Sequence, residues 1–225
     1  METEAALPEP LARNAGALGL KEQQKLRKSH VIICGCGGLG GQVIESLARI
    51  GVGRLTLFDP DRFSPSNLNR QLGALTETLG NNKAEVLADR VGRIHDLCRV
   101  KALAMDFRET DRFINADVVV DCLDNDTARR DLATRCLKQS LPLVHGAVNG
   151  WYGQIGIQLP GGNLLERLYP KQSRTTEPPP VLSFTPSLVA CLQAAETVKL
   201  LIGRPSQLIN GWLSVDLLHG DFEYL

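Results

Sequence analysis

The feature that most constrains this chain is a glycine-rich run that directly follows a short apolar segment. Residues 31–34 read Val-Ile-Ile-Cys and predict a buried strand, and Gly35, Gly37 and Gly40 follow in the spacing G-x-G-x-x-G. Residues 42–50 carry their apolar side chains on one face and predict a helix. Glycines let a backbone turn sharply, and the first N–H groups of a helix attract anions, so these segments predict a phosphate-binding turn.

A second apolar segment strengthens this interpretation. Residues 54–58 predict a strand that ends at Asp59, whose carboxylate is placed to accept hydrogen bonds from ribose hydroxyl groups. A glycine motif alone also fits a tight strand-to-helix turn that binds nothing. The order strand, glycines, helix, strand and acid favours a nucleotide site.

Length and charge exclude several other classes. The 225 residues suit a single α/β domain over 1–225, and the 25 basic and 25 acidic residues create no field that recruits nucleic acid or a membrane surface. The sequence has no apolar run long enough to span a bilayer and no signal peptide, and its six cysteines form no Cys-x-x-Cys pair. We therefore expect a cytoplasmic protein with reduced thiols.

Strand and helix patterns alternate as far as residue 147. This alternation predicts a Rossmann-like α/β fold, which is a doubly wound, mainly parallel sheet with helices on both faces. Antiparallel strands are expected to close the sheet, and the strand at 151–159 among them is expected to be exposed. Helices are predicted at 20–29, 82–95, 108–115, 127–139 and 188–202; strands at 100–104, 117–122, 141–147, 151–159, 208–215 and 221–225; an arm at 1–19; and a lid or crossover loop at 160–186.

Polar residues follow the predicted strands at their carboxyl ends, where open α/β sheets bind ligands. Asp59 ends one strand, Arg70 and Lys83 come after it, and Asp124 follows the Val-rich strand. Two bases and two carboxylates exceed what a dinucleotide needs, and they match a triphosphate with Mg²⁺ held by a carboxylate.

Each of these residues also has a simpler interpretation. Ser66 and Asn67 fit the cap of a helical turn, and Asp124 fits a helix N-cap. Arg70 and Lys83 fit solvated surface charges. The joint order of these residues along the chain favours the functional interpretation.

That order resembles the ThiF/MoeB/HesA family of adenylyltransferases, which are related to ubiquitin-activating enzymes. The resemblance runs from about residue 13 to residue 203, and the string Ser-Asn-Leu-Asn-Arg-Gln is foreign to nicotinamide-binding Rossmann domains. The motifs that carry it are Gly35-Cys36-Gly37-Gly38-Leu39-Gly40, Asp59-x-Asp61, Ser66-Asn67-Leu68-Asn69-Arg70-Gln71, Lys83-Ala84 and Asp121-Cys122-Leu123-Asp124-Asn125 with Arg129.

The resemblance implies an activity and a set of site residues. ATP and Mg²⁺ would activate the C-terminal glycine carboxylate of a small ubiquitin-like sulfur-carrier protein ending in Gly-Gly, leaving an acyl-adenylate and pyrophosphate. Arg70, Lys83 and Asp124 would be catalytic, Asp124 would bind Mg²⁺, and Arg13 would cross a homodimer to the opposite active site. The implied nucleotide-binding residues are Gly37, Gly38, Gly40, Asp59, Asp61, Ser66, Asn67, Leu68, Asn69, Arg70, Gln71, Lys83, Asp124 and Asn125.

Two departures from the family pattern matter. Many relatives bind structural zinc through two Cys-x-x-Cys pairs that this sequence lacks, so no zinc site is expected. Thr175 and Thr176 stand where some relatives carry a reactive cysteine. The histidines match no ligand spacing and are interpreted as structural or surface residues.

The activity has three alternatives. These are a tRNA-modifying dehydratase of the same superfamily, a catalytically silent nucleotide-binding scaffold subunit, and an NAD-binding oxidoreductase. The resemblance leaves thiamine, molybdopterin and cysteine synthesis open as pathways.

Overall fold

In the computed structural model, which describes residues 7–110, 113–170 and 179–225, the strands form one sheet in the order β3-β2-β1-β4-β5-β6-β7-β8. The first five strands in this order are parallel, and β6, β7 and β8 are antiparallel to their neighbours. The strands are β1 (His30–Cys34), β2 (Arg54–Phe58), β3 (Arg99–Leu103), β4 (Val118–Asp121), β5 (Leu143–Asn149), β6 (Tyr152–Gln158), β7 (Trp212–Asp216) and β8 (Asp221–Tyr224).

Helices cover both faces of the sheet. In β1, Val31 and Ile33 pack into a core with α1, α2, α3 and α6, whereas Ile32 and Cys34 face α4 and α5. The alternation follows from the period-two geometry of a strand buried on both faces. The helices are α1 (Leu20–Lys28), α2 (Gly38–Arg49), α3 (Lys83–Gly92), α4 (Asp126–Lys138), α5 (Leu164–Leu168) and α6 (Phe184–Ile202). The predicted fold class is confirmed.

Helix α6 ties the C-terminal part of the chain to the middle of the sheet. It packs against α2 and β5. Its fully buried Gln193 donates from Nε2 to the backbone carbonyl of Asp121, at 2.8 Å. The helix ends at Gly203, whose φ of 84° is the left-handed conformation that commonly stops a helix. The predicted helix at 188–202 is confirmed and begins four residues earlier.

Two predicted elements differ near the start and middle of the chain. Helix α2 begins at Gly38 rather than at residue 42, so Gly37 is its N-cap and Gly40 lies in its first turn. The predicted helix at 108–115 is wrong in the part of the chain that the structure describes. Only a 3-10 turn, Phe107–Glu109, is present, and Asn115 has a φ of 53°, which does not continue a right-handed helix.

The region after residue 150 is more buried than its pattern indicates. Strand β6 is antiparallel as predicted, but it is not exposed, because it lies between β5 and β7. Its glycines leave room for neighbouring side chains, and a Cβ at Gly156 would lie 2.7 Å from Leu164 Cδ2. The predicted loop at 160–186 contains α5, whose Leu164 and Leu165 are fully buried. Thr175 and Thr176 lie outside the described residues.

The N-terminal arm packs against the body from residue 7 onward. Glu9–Asn14 form a 3-10 helix with Leu11 fully buried. Asn14 Nδ2 donates to Gln23 Oε1 at 2.9 Å and to the Ile50 carbonyl at 3.3 Å.

Within the described ranges, no helix is long and apolar enough to cross a membrane.

Candidate active site

A cleft of about 750 Å³ opens at the carboxyl ends of β1, β2 and β4. It brings together residues that are far apart in the sequence, as expected for an open α/β sheet. Of the predicted site residues, those lining it are Gly37, Gly38, Asp59, Asp61, Arg70, Gln71, Lys83, Asp124 and Asn125.

The glycine turn between β1 and α2 depends on close backbone packing. Gly35 has a φ of 95°, and a Cβ there would lie 2.5 Å from the Cys122 carbonyl oxygen. A Cβ at Gly40 would collide with the Gly35 carbonyl oxygen. Gly40 therefore allows α2 to pack onto its own turn, and it is not among the residues lining the cleft. Gly37 and Gly38 face the cleft at the start of α2, where unpaired N–H groups attract anions.

Asp59 joins the glycine turn to the loop after β2. Its Oδ2 accepts a hydrogen bond from the Cys36 N–H at 2.6 Å, and its Oδ1 accepts one from the Asp61 N–H at 2.8 Å. Burial raises the pKa of this carboxyl group, and the two backbone donors oppose the rise. A carboxylate offers about four acceptor positions, so two remain for ribose hydroxyl groups.

Lys83 is held in place at the edge of the cleft. Its Nζ lies 3.0 Å from Asp61 Oδ2, and little of its side chain is exposed. The preceding residue, Asn82, donates to the carbonyls of Asp59 and Asp61 and accepts the Glu85 N–H, thereby capping α3. Asn82 was not predicted as a site residue, although an asparagine just before a helix is a recognisable N-cap signal.

Residues 66–69 build the turn that precedes Arg70. Asn67 Oδ1 accepts the Ser64 N–H at 3.0 Å, and Asn69 Nδ2 donates to the Val181 carbonyl at 3.1 Å. None of Ser66, Asn67, Leu68 and Asn69 lines the cleft. The cap suggested for Asn67 is present, and the four residues remain predicted nucleotide contacts.

Arg70 and Gln71 extend from that turn into the cleft. Arg70 Nη1 donates to the Ser66 carbonyl at 3.0 Å and to Asn69 Oδ1 at 2.9 Å. These bonds fix the guanidinium group to its own turn, and no ion pair holds it among the residues that the structure describes. Its charge is available to a phosphate.

Asp124 follows β4 and is exposed in the cleft. The N-cap of α4 is Asn125, whose Oδ1 accepts the Ala128 N–H at 2.8 Å, so Asp124 is not needed as the cap. The nearby Arg129 pairs with Asp126 at 3.3 Å. No group of three or more His, Cys, Asp or Glu side chains that could hold a metal occurs within residues 7–110, 113–170 and 179–225. Mg²⁺ is commonly held by one or two carboxylates together with substrate phosphates. Asp124 fits that arrangement, because its carboxylate is exposed and accepts only one long hydrogen bond among the described residues, from Asn125 Nδ2 at 3.4 Å.

Three residues near Asp124, namely His145, Tyr169 and Arg129, make contacts with one another that the sequence did not predict. His145 is fully buried, with Nδ1 2.8 Å from Asp121 Oδ2 and Nε2 3.0 Å from the Tyr169 hydroxyl oxygen. The Arg129 guanidinium carbon lies 5.1 Å from the centre of the Tyr169 ring. Arg129 was named with the motif that follows β4, whereas His145 was interpreted as a structural or surface residue and Tyr169 was given no role.

The described cysteines are free thiols, and only Cys191 is exposed. Burial raises the pKa of Cys36, which lies within the glycine turn, and of Cys122, which lines the cleft. Both are therefore protonated and unreactive at neutral pH.

Arg13 is not among the residues that line the cleft of its own chain. The neighbouring Asn14 is anchored at Ile50, just beyond the C-terminal end of α2, whereas the cleft lies at the start of that helix. The 12 residues of α2 separate the two ends by about 18 Å, at the usual rise per residue.

Comparison with known proteins identifies the family. The model of the ThiF family matches residues 11–225. The chain belongs to the ThiF family. It is 33% identical over 214 residues to the SAMP-activating enzyme E1 of Haloferax volcanii, covering 92% of this chain and 79% of that protein. It is 35% identical over 189 residues to the molybdopterin-synthase adenylyltransferase of Escherichia coli K12, covering 80% of this chain and 76% of that protein. ThiF-family relatives of this kind are adenylyltransferases, and this chain is an enzyme of that class.

Other matches broaden the comparison. The tRNA threonylcarbamoyladenosine dehydratase of Bacillus subtilis is 38% identical over 144 residues, covering 61% of this chain and 57% of that protein. The crystal structure of E. coli MccB with succinimide has a TM-score of 0.82 at 20% identity and covers 97% of this chain and 71% of that chain. The structural match shows a shared fold.

Proposed function

We propose that this ThiF-family enzyme uses ATP and Mg²⁺ to adenylate the C-terminal glycine carboxylate of a small ubiquitin-like sulfur-carrier protein. The observation that carries the proposal is one cleft that brings together the start of α2, the cationic side chains of Arg70 and Lys83, and the exposed carboxylate of Asp124. The helix start and the cations suit a triphosphate, and the carboxylate suits the metal ion that accompanies it.

The proposed reaction needs alignment and charge stabilisation more than proton transfer. The carrier carboxylate attacks the α-phosphorus of ATP, the bond to the β-phosphate breaks, and pyrophosphate leaves with the electron pair. Arg70 and Lys83 hold the phosphates and stabilise the charge that develops, while Asp59 holds the ribose. Bound Mg²⁺ would neutralise phosphate charge beside Asp124. A carboxylate is already a nucleophile, so no general base is required.

The names of the relatives support the type of partner. They include an enzyme that activates SAMP and an adenylyltransferase of molybdopterin synthase. A carrier of the thiamine or molybdopterin type is the substrate that we infer. The dehydratase relative keeps tRNA modification as a second candidate. The equal numbers of basic and acidic residues give the chain no net positive charge that would favour tRNA.

We further propose a homodimer in which Arg13 of one subunit completes the active site of the other. Arg13 is exposed on a 3-10 helix that Leu11 and Asn14 anchor to the body. An anchored arginine is better suited to reach a neighbouring subunit than one on a loose tail.

The direct test is ATP–pyrophosphate exchange with candidate carriers that end in Gly-Gly. We expect exchange only with a carrier present, and loss of exchange when the same carrier lacks its last glycine. Exchange with a modified tRNA and with no carrier would favour the dehydratase. ATP binding without exchange under any condition would favour the scaffold subunit.

Purified protein is expected to carry no stoichiometric zinc, because structural zinc usually takes four Cys or His ligands in closely spaced pairs and the sequence has no Cys-x-x-Cys. Elemental analysis of protein prepared without chelators checks this expectation. About one zinc per chain would contradict it.

A further inference from the structure

A buried hydrogen-bonded chain runs from the wall of the cleft to the loop that carries Asp124. It begins at Tyr169, which follows α5, passes through His145 in β5, and ends at Asp121, the last residue of β4. Neither His145 nor Asp121 has any exposed surface. The proposed reaction uses none of the three directly, so the chain needs another explanation.

The polarity of the chain follows from its chemistry. An ionised Asp121 can only accept, so His145 Nδ1 carries the proton that is donated to it. Burial lowers the pKa of His145 and keeps the imidazole neutral, which makes Nε2 an acceptor for the Tyr169 hydroxyl. The Tyr169 oxygen in turn accepts a hydrogen bond from Gln154 Nε2 at 2.7 Å. Gln154 Nε2 also lies 3.3 Å from His145 Nε2, and with a neutral imidazole it donates there too, so each contact pairs a donor with an acceptor.

The Asp121 end of the chain controls the backbone before Asp124. Asp121 Oδ1 accepts the N–H of Leu123, two residues on, at 3.0 Å, which is the hydrogen bond of an Asx turn. The carbonyl of Leu123 accepts from Arg129 Nη2 at 2.7 Å. The Leu123 residue is thus held at both its N–H and its C=O, and Asp124 is the next residue along.

We propose that His145 is a positioning residue for Asp124. By holding one carboxylate oxygen of Asp121, it orients the other oxygen toward Leu123 and so sets where the Asp124 carboxylate stands in the cleft. The proposal rests on the proposed function, which gives Asp124 the divalent cation. Side chains that orient a metal ligand from behind commonly change metal affinity or activity by about 10- to 100-fold when replaced.

Two substitutions of similar chemistry isolate this role. The side-chain amide of His145→Asn can place an N–H near the position of Nδ1 and so keep the donor to Asp121. The longer side chain of His145→Gln places its amide nearer the position of Nε2 and loses that donor. Both variants leave a polar amide in the same buried site. Any general effect of a buried polar group on stability should therefore be the same in both.

The measurement is Mn²⁺ binding, followed by electron paramagnetic resonance, to enzyme saturated with a non-hydrolysable ATP analogue. We expect the Mn²⁺ dissociation constant to rise about 10-fold or more in His145→Gln. His145→Asn should stay within about threefold of wild type, and the analogue's own affinity without metal should be unchanged in both. In exchange assays, raising the Mg²⁺ concentration should restore the exchange rate of His145→Gln.

Asp124→Ala in the same titration separates the metal-binding role of Asp124 from the positioning role of His145. If Asp124→Ala binds Mn²⁺ as wild type does, the metal role in the proposed function fails. If Asp124→Ala binds weakly while both His145 variants match wild type, only the positioning role is overturned. Equal losses in the Asn and Gln variants would also overturn it, since the donor to Asp121 would not matter. Melting temperatures confirm that each variant is folded before it is titrated.

Discussion

Asp124→Ala is expected to abolish Mg²⁺-dependent ATP–pyrophosphate exchange while leaving the protein folded. The side chain is exposed in the cleft, and Asn125 rather than Asp124 caps α4, so its removal costs no core contact and no cap. The loss arises because the carboxylate proposed to hold the metal is absent from a site with no cluster of alternative ligands among the described residues. The measurement is exchange rate against Mg²⁺ concentration, together with a thermal melt.

Asp89→Ala is the matched control for this variant. Asp89 is also exposed and lies on α3 in a surface pair with Arg93, away from the cleft lining. The Asp89→Ala variant should exchange at the wild-type rate. Near-normal exchange by folded Asp124→Ala would refute the assignment of Asp124 as the metal ligand.

A companion variant, Arg70→Ala, should exchange at least about 10²-fold more slowly than wild type, the usual scale for removing one donor that stabilises transition-state charge.

Arg13→Ala is expected to lower exchange by several orders of magnitude without affecting the residues of its own cleft. Arginines that act from a second subunit on a phosphate group contribute about 10³- to 10⁵-fold in related chemistry. Arg13 lies at the opposite end of α2 from the cleft of its own chain, so an effect of this size requires a second subunit. Arg93→Ala, which removes an exposed arginine at the C-cap of α3, is the control and should exchange at the wild-type rate.

Mixing inactive homodimers tests the arrangement directly. Arg13→Ala and Asp124→Ala chains, re-equilibrated in equal amounts, form heterodimers in which one site has both native residues. Since about half of the dimers are mixed and each has one working site, activity should recover to about a quarter of wild type. No recovery, with subunit exchange proven by mass spectrometry, would place Arg13 outside the active site.

Patterns that rest on local periodicity predicted the fold well. The glycine spacing, the strand ending at Asp59 and the Val-rich strand before Asp121 lie where a doubly wound sheet places them. The start of α2 was predicted too late because glycine is a weak helix former, whereas here Gly37 caps and Gly38 begins a helix whose start faces the cleft.

Features that depend on contacts distant in sequence could not be predicted. Strand β6 is buried because β7, more than 50 residues later, pairs with it. His145 was interpreted as structural or surface because its partners, Asp121 and Tyr169, are each 24 residues away. The motif also predicts every residue of 66–71 as a nucleotide contact. In the fold, only Arg70 and Gln71 of that string line the cleft.

The central place of β1 in the sheet has a consequence during protein synthesis. Its partners are β2, which follows within about 20 residues, and β4, which begins 84 residues after β1 ends. At usual translation speeds of about 5–20 residues per second, one edge of this mostly apolar strand is open for roughly 4 to 17 s on the ribosome. An unpaired apolar edge is a template for association with other chains. Nascent chains that stall between residues 58 and 118 are therefore the ones most exposed to aggregation, and the ones for which a ribosome-associated chaperone would matter most.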